Sequence, residues 1–151
     1  MFDIDGKDRM ILKILQVDSN TTNAAVGEQV GLSGPSVHER LKRMRANGVV
    51  KGAQLLVDPS LIGKDFLSFV LLKTKGPGKS QQVKELTEIP EIEEIHSVAG
   101  QFSLLLKVRT ATPSKMEELY ESIYSVSGIE GSETIISFKS FIERPVYISS
   151  D

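Results

Sequence analysis

The chain is predicted to be an α+β protein in two parts. An N-terminal helix-turn-helix domain (winged-helix-like) is followed by a C-terminal ferredoxin-like βαββαβ domain with an antiparallel sheet. Three observations predict this. Apolar residues in the first third recur at helical spacing. A three-residue turn with glycine, Gly31-Leu32-Ser33, separates two helical segments. After Gly48 short apolar runs alternate with amphipathic segments in the order β-α-β-β-α-β. The expected boundaries are 1–52 for the helical domain, 53–64 for a linking strand and hinge, and 65–151 for the βαββαβ domain.

Each element has its own signal. Asp5 caps a first helix whose apolar face is Met10, Ile11, Ile14 and Leu15, and Asp18-Ser19-Asn20 ends it. Thr22 caps a short second helix in which Ala25, Val26 and Val30 share a face. Gly31 suits a left-handed turn position, and Leu32 plugs the core from the turn. Ser33 caps the third helix, Pro35 is tolerated in its first turn, and Asn47-Gly48 stops it. Val37, Leu41 and Met44 stand at i, i+4, i+7 and form its buried stripe. Beyond it, Val49-Val50 and "AQLLVD" read as extended chain, and "DPSLIGKD" (58–65) as a hinge. "FLSFVLLK" is a strand, and "SQQVKELTEI" a helix ended by Pro90. "IEEIHSVAG" and "FSLLLKVRT" are strands joined tightly at Gly100-Gln101. "PSKMEELYESIYSVS" is a helix with Met116, Leu119, Ile123 and Val126 inward, and "TIISFKSFI" a last strand. A short internal echo, Ile89-Pro90-Glu91-Ile92-Glu93 against Val126-Ser127-Gly128-Ile129-Glu130, fits two βαβ halves of similar build.

The net charge of −2 conceals a local imbalance. Residues 33–52 carry five Lys/Arg against one acid, Glu39. With Val37, Leu41 and Met44 inward, four of these cations, Arg40, Lys42, Arg43 and Arg45, spread over the outer surface of the third helix. In a helix-turn-helix that helix enters the major groove of double-stranded DNA, and its N-terminal half meets base edges. Arg reads guanine with two parallel bonds, and Lys and Arg neutralise phosphates. Ser33, Ser36 and the free N–H groups of the first turn suit a phosphate oxygen. The candidate DNA-binding residues are therefore Ser33, Ser36, His38, Glu39, Arg40, Lys42, Arg43 and Arg45, with Glu39 able to accept from a cytosine amino group. The competing reading is a charge-biased surface helix, in a small-molecule-sensing oligomer whose helical domain is a protein-interaction module.

The rest of the composition narrows the field. There is no Cys, so no disulfide and no cysteine-based metal or redox chemistry. No apolar run reaches the length of a membrane span, and the acidic start, Met1-Phe2-Asp3-Ile4-Asp5, lacks the basic residues of a leader. A cytoplasmic protein is expected. "GPGKS" (76–80) lacks the first glycine of a phosphate loop, since Lys73 stands there. His38 and His96 lie in different domains and form no recognisable metal or nucleophile–base group. His96 and Ser97 read as strand residues. No catalytic residue, metal site or cofactor is expected. The βαββαβ order is shared with RNA-recognition modules, but the third strand here is aliphatic where those modules stack bases on aromatics. Apolar residues on both faces of "FLSFVLLK" and "TIISFKSF" suggest helices on one side of the sheet and a partner subunit on the other.

The chain resembles the Lrp/AsnC (feast/famine) family of transcription regulators nearly end to end. "DIDGKDRMILKILQVDSNTTNAAVGEQVGLSGPSVHERLKRMRANGVVKG" is similar to that family's DNA-binding half. "IPEIEEIHSVAGQFSLLLKV" resembles the segment leading into its ligand-sensing loop, and "SGIEGSETIISFKSFIERP" its last strand and tail. The resemblance implies a homodimer held by the C-terminal sheets, often assembled into an octamer. It also implies an effector, usually an amino acid, bound between dimers. The residues it points to are Gly100, Gln101, Phe102, Ser103 and Thr134. The family's loop reads Gly-Asp-x-Asp; here Gln101 and Ser103 replace both carboxylates. They offer neutral dipoles to a ligand's ammonium, a bond about half as strong as a charge-assisted one.

Overall fold

A computed structural model of the chain describes residues 3–75 and 79–149. Gly76-Pro77-Gly78, the turn weighed above as a phosphate loop, and the start of the chain at Met1-Phe2 lie outside the described residues. The chain forms two compact units, 3–56 with 142–149, and 57–141.

The first unit is built on three helices, α1 (Gly6–Val17), α2 (Asn23–Val30) and α3 (Gly34–Ala46). All three begin at a side-chain cap: Asp5 on Asp8 N, Thr22 on Ala25 N, and Ser33 on Ser36 N. Ile11, Val26, Val30, Val37, Leu41 and Met44 form the core, with Ile14, Leu15, Leu32 and Val50 packed around it. Met10 does not join it; it is exposed, because the buried stripe of α1 runs through Asp8 and Ile11. Gly31 ends α2 in the left-handed conformation at φ 68°. Gly27 is fixed for another reason: a Cβ there would stand 2.4 Å from the Leu32 carbonyl oxygen, so only glycine lets the turn close this tightly.

The second unit contains β1 (Phe66–Thr74), α4 (Lys79–Leu86), β2 (Ile92–Ser97), β3 (Leu104–Thr110), α5 (Pro113–Ser125) and β4 (Ile129–Ile136). The sheet order is β2-β3-β1-β4 with every pair antiparallel, the ferredoxin-like arrangement. Val70 and Leu72 of β1 and Leu104, Leu106 and Val108 of β3 pack with Leu86, Met116, Leu119, Ile123 and Val126. The opposite face of the sheet carries Phe69, Leu71, Leu105 and Ile135 in adjacent register, Phe69↔Ile135 and Leu71↔Leu105. Both faces are thus apolar, as the patterning of β1 indicates.

Three expectations need correction. The last strand is Ile129–Ile136 and does not extend to Ile142, because β1 begins at Phe66, only two residues beyond the last pair Ser68↔Ile136. Beyond it Phe138 and Phe141 are 99% and 89% exposed. The internal echo had the better phase: β2 and β4 both start at the echoed isoleucines, Ile92 and Ile129. Next, among the described residues no strand forms between Gly48 and Phe66; a 3-10 turn at Ser60–Ile62 is the regular structure there. Leu55 and Leu56 are 87% and 85% exposed, and a lone extended segment has no ladder to complete. Finally, the tail from Ile142 groups with the helical unit and not with the sheet, through Gln16 Nε2 donating to the Val146 carbonyl at 2.9 Å and Arg9 to Ser149 Oγ at 3.4 Å.

Candidate nucleic-acid interface

The third helix is oriented by its three inward residues. Val37, Leu41 and Met44 are buried, and Ser36, His38, Glu39, Lys42, Arg43, Arg45 and Ala46 lie exposed around them. The side chains of His38, Glu39, Lys42 and Arg45 make no hydrogen bond or ion pair with the described residues. They present one acid and two permanent cations along the outer strip. At the helix start Ser33 Oγ and Ser36 Oγ lie 2.8 Å apart, and Ser33 also accepts from Ser36 N at 3.3 Å. That places two hydroxyls and the first-turn amides at the positive end of the helix dipole, where an anion is favoured.

Arg40 and Arg43 behave differently from the sequence expectation. Arg40 Nη1 donates to Asp5 Oδ2 at 2.7 Å and to Asp8 Oδ1 at 2.9 Å. Arg43 Nη2 donates to Asp8 Oδ2 at 2.8 Å. The Asp8 side chain is fully buried, while those of Arg40 and Arg43 are 27% and 49% exposed. Asp8 also accepts from the Asp5 backbone amide, closing a capping box at the start of α1. The hydrogen bond from Arg40 holds the Asp5 carboxyl below its ordinary value, and the same bond raises the Arg40 guanidinium. Two of the outer cations are therefore neutralised by α1. Arg40 is a brace between helices, and Arg43 is half brace and half surface.

The part played by Asp8 was missed in the sequence. The Asp5-x-x-Asp8 spacing is the legible half, since an acid at the third helical position completes a capping box. Its partners 32 and 35 residues away have no local signature.

The effector residues are not all brought together. Gly100 sits in the β2–β3 connection at φ 134°, a conformation that favours glycine. Gln101 is exposed, Phe102 and Ser103 half-buried. Ser103 is stitched into the sheet: its amide donates to the Leu72 carbonyl at 2.8 Å, its carbonyl accepts from Val98 N at 3.1 Å, and its Oγ lies 3.5 Å from Thr74 N. Thr134 stands in mid-strand opposite Val70, on the face that packs against the helices, and its Oγ1 is buried without a hydrogen-bond partner. The loop docks at the Leu72–Thr74 end of β1, one strand away from Thr134.

Comparison with known proteins decides the family. The family model for the Lrp/AsnC ligand binding domain matches residues 67–147, and that for a winged helix-turn-helix DNA-binding domain matches residues 4–51. The chain belongs to the Lrp/AsnC family. It is 32% identical over 136 residues to the HTH-type transcriptional regulator FL11 of Pyrococcus furiosus, covering 90% of each chain. Among solved structures it is similar to E. coli AsnC (26% identity, TM-score 0.88, 96% of this chain and 99% of that one). It is likewise similar to a feast or famine regulatory protein from M. tuberculosis complexed with L-methionine (27% identity, TM-score 0.89, 97% and 100% coverage). As an Lrp/AsnC member the chain is a helix-turn-helix transcriptional regulator, with its DNA-binding domain first and its ligand-binding domain second. No helix among the described residues is long and apolar enough to cross a membrane.

Proposed function

We propose that this Lrp/AsnC regulator reads an operator with the outer strip of α3. Ser36, His38 and Glu39 face base edges, and Lys42, Arg43 and Arg45 face phosphates, with Ser33 at the helix start. Arg40 supports the helix from behind. The observation that carries this is the separation on α3: three buried apolar residues on one side, and His38, Lys42 and Arg45 exposed and uncommitted among the described residues on the other. On this reading the protein acts by binding and not by catalysis, and works in the cytoplasm. Fluorescence anisotropy with duplex DNA at several salt concentrations tests the interface. A Lys42→Ala, Arg45→Ala double variant should bind more weakly, with a log–log salt slope shallower by about 1 for each phosphate contact removed. An unchanged slope would remove these residues from the interface.

The sheet unit supplies assembly and sensing. Phe69, Leu71, Leu105 and Ile135 form an apolar face that suits a second copy, giving a homodimer that can build to an octamer. Two copies would then set two α3 helices on half-sites about one helical turn, or a multiple, apart. Leu71→Arg should dissociate the dimer in sedimentation analysis. An amino acid effector, as in the L-methionine complex of the M. tuberculosis protein, is placed at the Gly100–Ser103 loop. With Gln101 and Ser103 in place of acids, its ammonium group meets only neutral acceptors. Thermal-shift screening against the twenty amino acids tests this, since a ligand that binds only the folded state raises the melting temperature.

A further inference from the structure

The sheet unit holds a cleft of about 350 Å³ that neither α3 nor the Gly100–Ser103 loop accounts for. Four pieces of chain line it: the linker just before β1 with Lys64, the entry to β2 with Glu91, the end of β3 with Thr110, and α5 with Lys115, Glu118 and Leu119. Its volume lies at the low end of the range for small-molecule sites, about 300–1,000 Å³. The loop adjoins Leu104 at one end of β3 and the cleft adjoins Thr110 at the other, about 20 Å apart along the strand.

The charges of the cleft sort into paired and unpaired. Lys115 Nζ donates to both oxygens of Glu118, at 2.7 and 2.6 Å, so these two cancel. The side chains of Lys64 and Glu91, both half-buried, make no hydrogen bond or ion pair with the described residues. Thr110 is 1% exposed, and its hydroxyl already donates to the Thr112 carbonyl at 3.1 Å, so toward a ligand it can only accept. Buried Leu119 adds an apolar wall. What remains to meet a ligand is one ammonium, one carboxylate, one acceptor hydroxyl and an apolar surface. A phosphate would meet the charge of Glu91, and a polyamine that of Lys64. A small zwitterion satisfies both.

We infer that this cleft is a second effector site, which takes a free α-amino acid within a single protomer: Lys64 binds its carboxylate, and Glu91 with Thr110 binds its ammonium. This rests on the reading that the sheet unit senses an amino acid. Glu91 supplies the charge-assisted acceptor that Gln101 and Ser103 do not offer at the loop. Lys64 also has a mechanical place. Its amide donates to the Pro59 carbonyl at 2.8 Å, across the 3-10 turn in the segment that joins the two units. A ligand held by Lys64, Glu91 and α5 ties that segment to the sheet, and so couples occupancy to the DNA-binding unit.

The test is isothermal titration calorimetry on the full chain with each of the twenty amino acids, and with the N-acetyl and methyl-ester forms of each that binds. Wild type should bind at least one. Removing the ligand's ammonium by acetylation, or its carboxylate charge by esterification, should weaken binding on the order of tenfold, the scale of one charge-assisted bond. Glu91→Gln should weaken the free amino acid by a similar factor and should not weaken the N-acetyl form further, because the partner charge is already gone. Lys64→Gln should do the same for the ester. Two sites of unequal affinity give two steps, and the step that these substitutions alter is the cleft's. A general structural fault would instead weaken all three forms together, and that result overturns the inference. Binding in which neither substitution alters any step also overturns it, while leaving the sensing reading intact with the amino acid elsewhere. If none of the twenty binds wild type, both readings fall.

Discussion

The helical unit and the sheet unit solve the same problem with different forces. In the sheet unit α4 and α5 are held to the strands chiefly by apolar area, with hydrogen bonds such as Tyr124 to Ser132 at 2.7 Å and Gln82 to the Ser127 carbonyl at 3.1 Å beside it, and among the described residues no carboxylate there is fully buried. In the helical unit the apolar core is smaller, and a fully buried carboxylate joins α1 to α3. Apolar contact is non-directional and tolerates small rotations of a helix. Charge-assisted hydrogen bonds are directional. The unit that must aim a helix sets a fully buried directional device between its helices, and the sheet unit keeps its charge-assisted bonds, such as Arg109 to Glu93 at 2.7 Å, between strands.

The comparison can be broken by substitution, taken from the largest effect down. Leu106→Ala should destabilise the sheet unit by about 2–5 kcal/mol in denaturant unfolding, the range for a fully buried leucine. Asp8→Ala should cost about 2–3 kcal/mol, less than a fully buried ion pair would, because Arg43 at 49% exposure can turn to water. No loss at all would mean that the helical unit, too, is held by area. Gly27→Ala should cost about 1–3 kcal/mol as overpacking, since the Leu32 carbonyl at 2.4 Å is backbone and the turn must open. In α5, Thr112→Ala removes the cap on Lys115 N at 3.2 Å and should cost about 1 kcal/mol.

The smallest effect is in pH. The folded-state values of Asp5 and Glu94 are both depressed, Asp5 chiefly by its hydrogen bond from Arg40 and Glu94 chiefly by the one from His96. A depressed carboxylate contributes stability that is present above its unfolded value. That contribution is lost as pH falls from ordinary values of 3.8 and 4.5 toward the lower folded ones. Melting temperature should therefore drop in that acid window, and Asp5→Asn should flatten the drop. An unchanged acid limb in Asp5→Asn would show that the Asp5–Arg40 bond adds no stability.

Much of the fold is legible along the chain because its signals are local. A cap such as Thr22, a left-handed glycine such as Gly31, and an i, i+4, i+7 stripe such as Val37, Leu41 and Met44 each depend on residues within two turns. The sheet order follows from the alternation of strands and helices. The end of β4 differs from the expectation because a strand stops where its neighbour runs out: β1 starts at Phe66, two residues beyond the last pair Ser68↔Ile136, and nothing in Ser137 or Phe138 announces that.

The sequence by itself determined the two-part architecture, the inward stripe of α3 and the glycine at the turn, since helix and strand periodicity are written into neighbouring residues. Only the tertiary structure decided that Asp8 is buried, that Arg40 and Arg43 are claimed by it, and that Thr134 lies on the helix side of the sheet. Those facts depend on groups 32 or more residues apart along the chain, or on the register of one strand against another. Charge along a helix can be counted in one dimension, but which charges remain available depends on what folds against them.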